Sequence, residues 1–194
     1  MTNNSKLKQA NRKMKSMNSR LTAIVLLLSL TFPAEPSIMP FTYASDIKPV
    51  ETLIKKEWRR LFWMSEYNQA LITTIFKNQH PGDPAARAQQ LFISVLKEEG
   101  ALRGFITYYY SSPQTGHIEL LCVDPDYQGF GYGKKLVTHV EHFFAANGCT
   151  LLQLYVYTSN PHAIQFYTHR GFTIKKKNPG YLLLSKELKK ELKE

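Results

Sequence analysis

Val123-Asp124-Pro125-Asp126-Tyr127-Gln128-Gly129-Phe130-Gly131-Tyr132-Gly133-Lys134-Lys135-Leu136 is the stretch on which the reading of this chain turns. It joins an apolar run, residues 117–123 (HIELLCV), to a segment where Leu136, Val137, Val140, Phe143 and Phe144 recur at helical spacing. A strand, a turn and a helix are therefore expected in that order. Three glycines at alternate positions free the backbone to take φ > 0 and to approach a ligand closely. Amides gathered at a helix N-terminus favour an anion, both through the helix dipole and as a concavity of successive N–H groups. The implied ligand carries phosphate. Two well-known phosphate motifs do not fit. A P-loop needs G-x-x-x-x-G-K-[ST], but Gly129 and Gly133 stand one residue too close and Lys134 is followed by Lys135. A dinucleotide fingerprint needs a third glycine where Lys134 stands, after a strand of a βαβ unit.

Working outward, the strand before the turn closes a meander. Residues 91–97 (LFISVLK) and 101–110 read as strands, with 98–100 (EEG) and 111–116 (SSPQTG) as turns. Upstream, Val50, Leu53, Ile54, Trp58, Leu61 and Phe62 keep helical spacing, a second helix is expected over 67–77, and a Pro/Gly loop follows at 80–84. Downstream, Asn147-Gly148 stops the helix. Residues 150–157 (TLLQLYVY) read as a strand, Asn160-Pro161 opens a short helix ending at Gly171, and 172–175 and 181–185 are the last strands. The order helix–helix–β–β–β–α–β–α–β–β predicts a mixed α/β (α+β) domain.

Gln128-x-x-Gly131-x-Gly133, after Leu121-Cys122-Val123-Asp124-Pro125, resembles the coenzyme A pyrophosphate turn of the GNAT superfamily of N-acetyltransferases. Asn160-Pro161-His162-Ala163-Ile164-Gln165-Phe166-Tyr167-Thr168-His169-Arg170-Gly171-Phe172 resembles the later signature of the same family, N-x-x-A-x-x-F-Y-x-x-x-G-F. The resemblance covers residues 91–186. It implies a mainly antiparallel central sheet flanked by helices, with a β-bulge and splay between the third and fourth predicted strands, near Tyr155. It also implies acetyl-coenzyme A as co-substrate, a primary amine as acceptor, and no metal. The pantetheine arm would pair with Leu121 and Val123, and amides near Leu121 and Cys122 would polarise the thioester carbonyl. Gln128, Gly129, Phe130, Gly131, Tyr132, Gly133 and Lys134 would hold the pyrophosphate, with Lys135 beside them. Asn160 would both cap its helix and touch the pantetheine arm. Tyr167 would be the general acid toward the departing thiolate. For the base, Glu119 is favoured and His117 is second, two residues apart on one strand face. The implied reaction is direct attack of the amine on the thioester in a ternary complex. The alternative is a non-catalytic module that keeps the fold and binds coenzyme A.

The 194 residues are 43% apolar, which suits one domain with a hydrophobic core. The net charge of +10 is concentrated at the start, where residues 1–44 hold six Lys/Arg and one acid. The remainder has 19 basic against 14 acidic residues and no basic stripe interleaved with aromatics, so nucleic acid is not expected as a partner. Cys122 and Cys149 have neither disulfide-framework nor metal-ligand spacing. His139 and His142, i and i+3 on a helix, lack further ligands.

Residues 6–20 are basic and polar, and the twelve residues 21–32 (LTAIVLLLSLTF) are uncharged and mostly apolar, short of the ~20 needed for a membrane-spanning helix. With Thr42-Tyr43-Ala44 following, the order is that of a cleavable signal peptide cut after Ala44. The expected organisation is a signal-like segment 1–44, an acetyltransferase domain 45–188 and a charged tail 189–194. Export sits uneasily with acetyl-coenzyme A, which is kept in a cytosol. A true start near Met39, and an exported protein acting in another cell's cytosol, are the alternatives. Acceptor choice is expected from the first two helices, residues 78–90 and 178–181. A peptide N-terminus, lysine, polyamine or aminoglycoside-like amine all stay open, as does the oligomeric state.

Overall fold

The computed structural model describes residues 35–62, 66–82, 86 and 89–189. The signal-like run over 6–32 and the end of the tail lie outside the described residues, as does Trp63. In chain order the elements are β1 (Ser37–Pro40), α1 (Tyr43–Phe62), α2 (Gln69–Ile72, running on into a π-helical turn over Thr73–Lys77), β2 (Phe92–Glu98), β3 (Ala101–Ser112), β4 (Thr115–Val123), a 3-10 turn (Pro125–Tyr127), α3 (Tyr132–Ala146), β5 (Leu151–Tyr157), α4 (Pro161–His169), β6 (Thr173–Asn178) and β7 (Tyr181–Glu187). They build one seven-stranded sheet, β1-β2-β3-β4-β5-β7-β6. All neighbours are antiparallel except β4 and β5, which α3 connects as a parallel pair. The mixed α/β architecture and its order agree with the sequence reading, with one strand added at the front.

Both faces of the sheet are covered, which is why β3 reads as a nearly continuous apolar run. On one face, Val50, Leu53, Ile54 and Trp58 of α1 and Ile72, Ile75 and Phe76 of α2 pack with Ile93, Val95, Phe105, Tyr109 and Cys122. On the other, Leu136, Val137, Val140 and Phe144 of α3 and Tyr167 of α4 pack with Ile106, Tyr108, Ile118, Leu152, Leu154, Val156 and Leu184. Gly116 lies at the tightest point. A Cβ there would come within 2.3 Å of the Phe144 ring, so only glycine lets α3 settle on the start of β4. No described helix is long and apolar enough to cross a membrane.

Residues 36–44, read from the sequence as the end of the signal-like segment, belong to this folded unit, which runs from Pro36. Ser37–Pro40 pair with Lys97–Ser94 of β2, and the Phe41 amide donates to the Ile93 carbonyl at 3.0 Å. Pro36 and Pro40 disguise the strand, and an edge strand is where proline is tolerated. Phe41 packs 5.7 Å from the Phe76 ring. Helix α1 then begins at Tyr43, ahead of the apolar spacing that starts at Val50, and accepts Pro49 inside it. Its first turn is closed by Asp46, which is 2% exposed. The Asp46 carboxylate accepts from the Thr42 amide at 2.8 Å, the Ser45 hydroxyl at 2.9 Å and Lys97 at 2.6 Å. A cut after Ala44 would fall within α1 and remove β1, Phe41 and the Thr42 amide together.

A chain beginning at Ser45 should therefore be less stable than one beginning at Glu35 by about 2 kcal/mol or more, the scale of one partly buried phenylalanine plus a helix cap. Urea midpoints of the two chains measure this, and coincident midpoints would show that β1 contributes nothing. Burial alone would raise the Asp46 pKa, but the bonds from Lys97, Thr42 and Ser45 and the Lys97 charge hold it below the usual value. A depressed carboxylate stabilises the fold above its unfolded pKa of ~3.9 and ceases to as pH falls through the folded value. The destabilisation caused by Asp46→Asn should accordingly be full at neutral pH and shrink toward acid. A deficit independent of pH would assign it to packing instead.

Candidate active site

The glycine turn is assembled from β4 outward. Asp124 caps the 3-10 turn, its side chain accepting from the Asp126 amide at 3.4 Å. Gln128 turns back and donates from Nε2 to the Val123 carbonyl at 3.3 Å. Gly129 and Gly131 have φ of 86° and 82°, a conformation open mainly to glycine. Gly131 caps α3, and the Lys135 amide donates to the Gly131 carbonyl at 3.0 Å. The amides of Tyr132, Gly133 and Lys134 thus precede the helical ladder and form an N-terminal anion seat. Gly133 faces α4, where a Cβ would stand 3.3 Å from Phe166. Lys134 and Lys135 are exposed.

The second part of the site is an opening in the sheet. Parallel pairing of β4 with β5 covers Thr115–Ile118 against Leu151–Leu154 and goes no further. Just there β4 bulges: Tyr108 pairs with Ile118 but Thr107 with Leu120, which makes Glu119 the additional residue. The Leu120 amide donates to the Thr107 hydroxyl at 3.1 Å, and the Asp124 amide to the Arg103 carbonyl at 2.8 Å. Both point to β3. Because strand amides alternate sides, that of Cys122 also faces β3, whereas those of Leu121 and Val123 face the opening. Of the Leu121 and Cys122 amides, only Leu121's faces the opening. Cys122 is buried, and desolvation followed by the charges of Glu57 and Asp124 pushes its thiol pKa far up, which disfavours the reactive thiolate.

A cleft of about 680 Å³ occupies this opening. It brings together five of the expected residues: His117, Glu119, Leu121, Asn160 and Tyr167. The His117 ring is 5% exposed and sits between Tyr109 at 4.9 Å and Tyr155 at 5.2 Å. Glu119 accepts a hydrogen bond from the Gly82 amide. Asn160 caps α4, accepting from the Ala163 amide at 3.1 Å. Tyr167 is buried between Phe166 and Phe172, whose rings meet it edge-on at 5.0 and 5.4 Å. Burial raises its phenol pKa, with Arg170 only partly opposing. The hydroxyl therefore stays protonated through the neutral range. Gln128 through Lys134 are not among the cleft's lining residues and occupy the adjoining N-terminus of α3. No three His, Cys, Asp or Glu among the described residues converge as a metal site, and His139 bonds Ser94 at 3.1 Å.

A family model described as the acetyltransferase (GNAT) family matches residues 50–172, a span containing the turn, the opening and α4. The chain belongs to the GNAT acetyltransferase family. A mycothiol acetyltransferase of Beutenbergia cavernae is 36% identical over 75 residues, 39% of this chain and 25% of that protein. Another from Saccharopolyspora erythraea is 32% identical over 90 residues, 46% of this chain and 28% of that protein. The chain thus spans about a quarter of the length of these two curated relatives. The PaiA N-acetyltransferase of Thermoplasma acidophilum, solved in complex with coenzyme A, superposes with a TM-score of 0.62 at 16% identity, over 79% of this chain and 99% of that one. That likeness is one of fold.

Within this GNAT domain, several residues that shape the site escaped the sequence reading. Arg103 of β3 lies with its guanidinium 3.8 Å from the Tyr127 ring centre and 3.5 Å from Glu98. Glu98 in turn accepts from the Tyr132 hydroxyl. Lys56 of α1 reaches Asp124 at 3.6 Å. Together they tie the glycine turn to β2, β3 and α1. A charge inside the otherwise apolar run ALRGFIT was the available signal for Arg103. Gly82 carried none, because its bond to Glu119 spans 37 residues of sequence.

The bond to Glu98, then burial, pushes the Tyr132 pKa up to about 12. Glu98→Gln removes the negative charge that disfavours tyrosinate, so the Tyr132 pKa should fall toward the ordinary ~10. Tyrosinate absorbance against pH, each protein compared with its Tyr132→Phe counterpart, isolates this phenol. An unmoved value in Glu98→Gln would mean the carboxylate is not what holds the proton.

Proposed function

We propose that this protein transfers an acetyl group from acetyl-coenzyme A to a primary amine by direct attack in a ternary complex. The observation that carries the proposal is the opening between β4 and β5, which gathers an acid, a carboxylate and outward-facing amides into one cleft beside an anion seat. The residues present suit the coenzyme. The amides of Tyr132, Gly133 and Lys134 would receive its pyrophosphate, and the free strand edge at Leu121 and Val123 would pair with its amide-bearing arm. The thioester supplies the activated acetyl group.

The chain's own groups account for the rest. The Leu121 amide donates to the carbonyl oxygen as negative charge builds there. Glu119, oriented by the Gly82 amide, takes a proton from the acceptor's ammonium, directly or through water, and the free amine it leaves attacks the thioester carbon. The C–N bond forms as the carbonyl π pair moves onto oxygen, the return of that pair breaks the C–S bond, and the nitrogen sheds its second proton to solvent. Tyr167 donates a proton to the departing sulfur. His117, fixed between two tyrosines, is placed to shape the wall beside Glu119. Holding both substrates in line contributes much of the rate. Neither buried cysteine is needed as an acetyl carrier.

Free-thiol release from acetyl-coenzyme A, followed across a panel of amines, tests the proposal. Tyr167→Phe and Glu119→Gln should each lower kcat by about 100-fold while leaving coenzyme A affinity within error. Because the Tyr167 pKa is raised, its ionisation should cause no loss of kcat below about pH 10. Coenzyme binding without turnover on any amine class would favour a binding module over an enzyme.

A further inference from the structure

Phe130 is the most exposed large apolar side chain among the described residues, at 68%. It stands at the tip of the glycine turn, between two residues of positive φ that aim it away from the domain. It is also held in an ordered group. The Phe130 ring lies 6.1 Å from Tyr127 and 6.2 Å from Tyr132, and those two rings stack nearly parallel, 17° apart. Tyr127 is covered on one side by Arg103, and Tyr132 is pinned through its hydroxyl to Glu98. Phe130 is the open member of an otherwise fixed aromatic cluster.

An anion seat alone has no use for this arrangement. Backbone amides satisfy phosphate oxygens, and an exposed phenyl ring adds nothing to that while leaving apolar surface in water. A ligand that joins a diphosphate to a flat aromatic ring uses both. In an adenine nucleotide only the ribose separates the two, so a base attached to a phosphate seated at the start of α3 falls within reach of the turn's tip. Exposed lysines at 134 and 135 keep the surroundings suited to an anionic ligand.

We propose that the Phe130 side chain is a stacking platform for the purine base of the bound coenzyme. This rests on the reading of the glycine turn as a pyrophosphate seat. The side chain thereby holds the far end of the cofactor, and the backbone of the same residue serves the phosphates.

The test compares coenzyme A with 4′-phosphopantetheine, which lacks the base together with the ribose, the 3′-phosphate and one phosphate of the diphosphate, and reads stacking on the base itself from an introduced tryptophan. Coenzyme A and 4′-phosphopantetheine are titrated calorimetrically into the wild-type protein, Phe130→Ala and Phe130→Trp. Phe130→Ala should weaken coenzyme A about tenfold or more, on the scale of a lost base–aromatic stack. It should leave 4′-phosphopantetheine affinity unchanged, and Phe130→Trp should retain coenzyme A. Fluorescence of the introduced tryptophan should be quenched by coenzyme A and not by 4′-phosphopantetheine. Equal weakening of both ligands, or of neither, would overturn the stacking role while leaving the pyrophosphate seat intact. Failure of the wild-type protein to bind either ligand would overturn the seat itself, and the platform with it. Circular dichroism melts of the three proteins separate loss of binding from loss of fold.

Discussion

Four residue pairs hold β4 to β5, and then the two strands part. A sheet that separates in its interior leaves peptide groups of both strands without a ladder, which is costly unless something else satisfies them. The surrounding elements brace both sides of that opening. The bulge at Glu119 turns the outgoing half of β4, and the Thr107 hydroxyl takes up the amide that the bulge displaces. Gly116 lets Phe144 of α3 clamp the paired half from one side. Across the opening, β5 is held along its whole length by β7, from Leu151–Glu187 to Tyr157–Tyr181.

The helices flanking the opening are pinned by polar contacts on their outer sides. Glu141 of α3 pairs with Lys186 at 2.8 Å and Arg170 at 3.6 Å, and Arg170 also donates to Thr138 at 2.9 Å. These contacts bind the end of α4, which carries Tyr167, to α3, which begins with the anion seat. The two signatures far apart in sequence thus become one rigid frame, with Gly133 against Phe166 at their closest approach. The loop after α2 completes the cleft. The π-helical turn over Thr73–Lys77 and the left-handed Gln79, with φ of 53°, direct the chain back so that Gly82 meets Glu119.

What could be read in the sequence follows from the kind of physics involved. The turn at 128–133 was legible because left-handed backbone is recorded directly as glycine. Asn160 was legible for a similar reason, since a helix cap has a short list of acceptable residues. The helix spacing of α3 and the meander of β2 to β4 were also plain. The bulge was hidden, because inserting one residue breaks the alternation that identifies faces: Glu119 and Leu120 are neighbours yet serve the same side of the sheet. Strand β1 was hidden between prolines, and the start of α1 behind Pro49. Arg103, Glu98 and Gly82 act across long separations, and no local pattern encodes such pairing.

The edge position of β1 also bears on how the chain is made. This strand leaves the ribosome before β2, its sheet partner among the described residues, and the whole of α1 and α2 must be synthesised between them. Pairing so distant in sequence closes late and slowly. During that interval Ile38, Met39 and Phe41 have no neighbours to cover them, and the domain's first apolar residues are open to whatever meets a nascent chain. The strand that seals one margin of the finished sheet is thus its earliest exposed surface, and the time it spends waiting is set by the rate of translation through residue 98.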